Sequence, residues 1–298
     1  YWTSWYELIG AANVVLHYTD QINVSQERKN FYKGQGHFYR AIAYWRLVQT
    51  WGDCVIIGDD AKLETAFPKS SWSEVLDYTI NEVRQAVALL PEYDKIQDSQ
   101  GNVPEYKNVP CKGAANALLA HLCAMKAGWK WFARPEDQNF NEQEYWEEAE
   151  KACTSIIGSE TAQSAGIYHL VATPEEVSTV VFKGKSTESI FEMRYAPYWD
   201  EIGKNMDSEY YTTYLDSWAL TYCYWVLLVE INGSGLDCIK DQKQLIRAST
   251  VDKWFPKGDL RRETYFWKLD SMNHDTLRYV TGGFAYPYLF RDLNVKTT

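Results

Sequence analysis

The chain has 298 residues, 46% of them hydrophobic, enough to bury a sizeable core in one large domain or two modest ones. Its 40 acidic and 30 basic residues give a net charge of −10. That balance excludes a general nucleic-acid binder, which needs a basic stripe to meet phosphates, and it disfavours an anionic membrane surface. With 13 Trp and 22 Tyr, the chain is rich in side chains that combine an apolar face with a polar handle.

Trp5 to Tyr18 reads as an amphipathic helix, with Leu8, Ala11, Ala12, Val15 and Leu16 on one face. A second helix runs from about Val24 to Trp51. Phe38, Ala41, Ile42, Trp45 and Val48 form its apolar stripe, Arg40 and Arg46 lie elsewhere, and Gly52 stands at the C-cap. Asp53 to Phe67 is a connector with a short apolar run, Cys54 to Ile57. Ser71-Trp72-Ser73-Glu74 matches a capping box, followed by a seam of Leu76, Ile80, Val83, Val87 and Leu90 that ends at Pro91. Glu92 to Pro110 is a polar loop. Lys112 to Trp131 is an alanine-rich helix, and Glu142 to Ile157 is its expected partner, with Trp146, Ala149, Ala152 and Ile156 inward and Gly158 as cap.

The expected fold class is therefore mostly α, built from antiparallel helix hairpins over residues 1–158. Stacked hairpins are the architecture of tetratricopeptide repeats, although no clean 34-residue period is present. After Gly158 the chain gains Gly, Pro, Ser and Thr, and aromatic residues crowd between Tyr195 and Trp225. Residues 159–298 read as a loop-rich, irregular half with short strands and short helices.

Several segments, in order, resemble the SusD/RagB family. Trp5 to Asn13 is similar to an early family helix that ends in an Ala-Asn pair. Tyr39-Arg40-Ala41 through Trp51-Gly52-Asp53 carries the family's Arg-Ala, Leu-Val and aromatic-Gly-Asp run, with Cys54-Val55-Ile56 replacing the usual Val-Pro ending. Ser73 to Pro91 and Lys112 to Ala120 resemble two further helices. Tyr168-His169-Leu170 and Ser189-Ile190-Phe191-Glu192 resemble two later motifs, and Asp259-Leu260-Arg261 a late Asp-Pro-Arg element with Leu in place of Pro.

The resemblance implies a surface lipoprotein of the outer membrane's extracellular face that captures glycan and passes it to a SusC-like TonB-dependent transporter. It implies that residues 1–158 and 159–298 pack together as one SusD-like domain, the second portion facing the ligand. Family members normally carry a signal peptide, a lipidated Cys and a further N-terminal segment, and end in another helical pair. None of these is in this sequence, so the resemblance implies an internal portion, with the anchor Cys outside the chain.

The chemistry points to a binder. No G-x-S-x-G, H-E-x-x-H or P-loop occurs, and Glu142 to Glu150 read as a solvated helix face. Glu188 and Glu192 read as structural. The six cysteines form no CxxC or zinc spacing and read as buried free thiols; the five histidines are dispersed. No catalytic residue, metal or cofactor is expected. The aromatic cluster is the better lead, because Trp and Tyr faces stack on the C–H faces of pyranoses while Asp and Asn bond the hydroxyls. Position and composition single out Trp199, Tyr211, Tyr214 and Trp218, with Asp200, Asn205 and Asp216 as polar companions. The same rings would equally suit a core or a transporter interface. The alternatives are a binder of another nutrient such as peptide, a glycoside hydrolase needing two opposed carboxylates, and a helical scaffold whose only ligand is protein.

Overall fold

The computed structural model describes residues 1–58, 67–98, 100–104, 106–129, 139–158, 166–181, 186–192, 246–267 and 284–287. The chain forms two compact units, Tyr1–His169 and Leu170–Thr298.

Among the described residues the first unit is an array of five α-helices: α1 (Trp2–Tyr18), α2 (Gln26–Trp51), α3 (Trp72–Leu89), α4 (Lys112–Trp129) and α5 (Glu142–Ile157). Each packs against the one before it. Local sequence sets the ends. The Ser25 hydroxyl caps α2 by accepting the Arg28 N–H. Gly52, at φ +73°, ends that helix and returns its N–H to the Val48 carbonyl. Ser71 and Glu74 form the expected capping box of α3. Gly158, at φ +77°, closes α5 on Thr154.

The core lies between α2, α3 and α4. Leu47, Val75, Leu76, Ile80, Val83 and Leu122 are fully buried, and each such side chain contributes about 1.5–3 kcal/mol relative to exposure. Ala114, Ala115 and Ala120 let neighbouring backbones approach α4 closely. Lys126 is also fully buried. Its Nζ donates to the Ser73 carbonyl at 2.9 Å and the Ser73 hydroxyl at 2.5 Å, and lies 3.0 Å from Asp77 Oδ1. The rings of Trp72, Phe140 and Tyr145 surround it at 4.8–5.7 Å.

Several expected orientations are corrected. In α1 the buried residues are Ile9, Ala12 and Leu16, whereas Ala11 and Val15 are exposed, because the stripe that meets α2 is narrower than the apolar face. Arg40, placed off the apolar stripe by the sequence, is nevertheless buried, since Glu82 neutralises it inside the core. Trp146 is exposed. The face of α5 toward its neighbours carries Tyr145, bonded to Asp77, Glu148, bonded to Arg84, and then Ala149, Ala152 and Ile156. Trp146 sits about 100° round the helix from Tyr145 and points away. Cys153, one step beyond Ala152, is exposed for the same reason, while Cys54, Cys111 and Cys123 are buried free thiols. Cys223 and Cys238 lie outside the described residues.

The second unit has short elements: α6 (Pro174–Thr179), α7 (Ala248–Trp254) and α8 (Leu260–Tyr265), with β1 (Ile246–Arg247), β2 (Phe266–Trp267) and β3 (Phe284–Pro287). Strand β3 is central and antiparallel to both neighbours, in the order β1-β3-β2. Thr173 and Glu176 make a capping box on α6, with Pro174 at its first turn. This agrees with the irregular second half expected from the sequence.

Candidate functional site

The motif residues of the helical unit converge on one extended strip, Cys54 to Gly58, just after α2. Antiparallel pairing of Cys54 with Ser70 fixes one edge of the strip. Side chains from α1 and α2 satisfy the other edge. The Tyr6 hydroxyl accepts the Val55 N–H at 3.0 Å and donates to the Val55 carbonyl at 2.9 Å. The Tyr44 hydroxyl does the same for Ile57, at 2.7 and 3.2 Å. The Asn13 amide donates to the carbonyls of Ile57 and Gly58, at 3.2 and 3.0 Å. Two phenols and an amide thus stand where a partner strand would bond alternate residues.

Asn13 is itself held. Its Oδ1 accepts from Arg40 Nη1 at 2.8 Å. Arg40 then meets Glu82 of α3 with two parallel bonds, Nε to Oε2 at 2.7 Å and Nη2 to Oε1 at 2.8 Å. His37 Nδ1 lies 2.8 Å from the same Oε2, and the Arg40 guanidinium lies 5.8 Å from the centre of the Tyr78 ring. Burial pushes the Glu82 carboxyl pKa up. The hydrogen bonds from His37 and Arg40, with their charges, outweigh burial and hold it below its usual range. Burial also raises the Tyr6 phenol to about 12 and the Tyr44 phenol further, and it raises the Cys54 thiol to about 11. These groups stay protonated and neutral at physiological pH. A phenol in that state can both donate and accept, as the strip requires.

The aromatic-Gly-Asp run has an equally local account. Gly52 ends α2, and Asp53 Oδ1 accepts the Trp72 N–H at the start of α3. A second anchor lies at the start of α4. Tyr168 is buried over Gly113, its hydroxyl 3.2 Å from Cys111 Sγ, with Lys107 Nζ 4.9 Å from its ring centre. In the second unit, a Glu188 carboxylate oxygen accepts the Val171 N–H and the Glu188 N–H donates to the buried Ser186 hydroxyl. Glu188 is structural, as its sequence context suggested.

The seven residues singled out for ligand contact, Trp199, Asp200, Asn205, Tyr211, Tyr214, Asp216 and Trp218, lie outside the described residues. Among the described residues no cluster of three His, Cys, Asp or Glu could hold a metal ion, and no helix is long and apolar enough to cross a membrane. Sequence reading passed over Glu82, although a signal was present. Val75, Thr79, Glu82 and Ala86 recur at helical spacing, which puts the carboxylate inside the buried seam.

Residues 1–123 match the SusD-like family described as starch-binding and associating with the outer membrane. These residues contain the whole strip and every side chain that clamps it. Over these residues the chain is similar to the SusD/RagB family. A SusD-like protein of Bacteroides ovatus is 26% identical over 133 residues, 43% of this chain and 22% of that protein. A SusD-like protein of Formosa agariphila is 30% identical over 125 residues, 41% of this chain and 23% of that protein. The matched stretch thus spans under a quarter of each curated relative. A SusD homolog from Bacteroides thetaiotaomicron shares the fold with a TM-score of 0.51 at 20% identity, covering 66% of this chain and 35% of that one. The clamp around Cys54–Gly58 is what the SusD-like motifs build here. Asn13, Arg40, Tyr44, Gly52 and Asp53 are motif residues whose bonds go to the protein's own backbone and core.

Proposed function

We propose that this SusD-like chain belongs to a cell-surface protein that binds glycan and delivers it, uncleaved, to a SusC-like TonB-dependent transporter in the outer membrane. The observation that carries this reading is the match of residues 1–123 to a family described as starch-binding and associating with the outer membrane. In this reading the protein is lipid-anchored at the extracellular face. Residues 1–158 form the scaffold and residues 159–298 face the ligand. Trp199, Tyr211, Tyr214 and Trp218 supply stacking surfaces, and Asp200, Asn205 and Asp216 bond sugar hydroxyls. The absence of catalytic motifs in the sequence supports binding without hydrolysis.

Isothermal titration of the chain against starch, laminarin and xyloglucan tests this reading. The expected result is saturable binding of at least one glycan, weakened about five- to tenfold in Trp199→Ala or Trp218→Ala, since a lost stacking contact of about 1–1.5 kcal/mol has that effect. Full affinity in all four aromatic variants would remove the assigned site. Binding of peptides alone would replace the ligand class, and release of reducing ends from a bound glycan would make the protein a hydrolase.

A further inference from the structure

We draw no further inference here: the strongest candidate, the surface patch where Trp2 at the start of α1 meets the exposed Trp51 at the end of α2 edge to face, is an unpartnered apolar face, and nothing in the structure shows what covers it.

Discussion

Arg40 and Glu82 form a bidentate ion pair inside the helical core, each with a side chain almost removed from solvent at 4% and 6% exposure. The pair joins α2 to α3, and through Asn13 it also orients the group that holds Ile57 and Gly58. Its loss therefore acts on packing and on the strip together. Replacing Glu82 by Gln leaves the guanidinium buried without a counter-charge, so the expected cost is about 3–5 kcal/mol in urea unfolding. The double variant Arg40→Met/Glu82→Leu should recover part of that loss, because it removes both charges and fills similar volume. A single variant costing less than about 1 kcal/mol would show that the pair contributes little.

The same carboxylate sets an acid limit. Glu82 titrates below its ordinary value of 4.5 in the folded protein, against the effect of burial, because His37 and Arg40 favour the charged form. A lowered carboxylate contributes stability above its unfolded value, and that contribution is lost as pH falls through the folded value. Glu148 adds to the trend through its bonds to Arg84, more weakly because Arg84 is half exposed. The melting temperature should fall steeply below pH 4.5. In Glu82→Gln the profile should be flatter across that window. Parallel profiles for the two proteins would rule out Glu82 as the source.

How much of this was legible beforehand depended on periodicity. The five helices followed from apolar spacing, and the ends of α2, α3 and α5 followed from Gly52, Ser71 with Glu74, and Gly158. These are local signals, complete within a few residues. Burial of Glu82 was legible from its place in the Val75, Thr79, Ala86 seam, but its pairing with Arg40 was not, because 42 residues separate the partners. Trp146 misled for the opposite reason: a large ring invites burial, but Trp146 lies about 100° round α5 from Tyr145 and so points away from the neighbouring helices. The aromatic stretch from Tyr195 to Trp225 carries no period. Composition singled out its rings as sugar platforms, but spacing could not say which of them turn outward.

The thiols give a solution check on the helical packing. Burial raises the Cys54 thiol to about 11 and the Cys123 thiol to about 12, the latter also opposed by the neighbouring Glu148 charge. Thiolate is the reactive species, so both are inert at neutral pH. Cys111 is buried beside Tyr168. Cys153 is exposed. Brief treatment of the native protein with iodoacetamide, followed by peptide mapping, should label Cys153 while sparing Cys54, Cys111 and Cys123 until denaturant is added. Equal labelling of Cys123 and Cys153 in the native protein would mean that α4 and α5 do not pack as described.

Gly113 tests the second anchor most sharply, because two known effects of one substitution have opposite signs. Alanine is favoured over glycine within a helix by up to about 1 kcal/mol, the interior value being an upper bound at Gly113 in the first turn of α4. At Gly113, however, an added Cβ would meet the Tyr168 hydroxyl at 2.5 Å and its ring carbons at 2.6 and 2.8 Å. The ring cannot yield freely, since it is buried and its hydroxyl contacts Cys111. Overpacking of this kind costs about 1–3 kcal/mol, so Gly113→Ala should be net destabilising in denaturant titrations. Trimming the obstacle should reverse the sign. In a Tyr168→Ala background the same Gly113→Ala change should be neutral or stabilising, giving a coupling energy of about 1 kcal/mol or more across the cycle. Stabilisation by Gly113→Ala in the otherwise unaltered protein would mean that Tyr168 does not occupy the slot above α4.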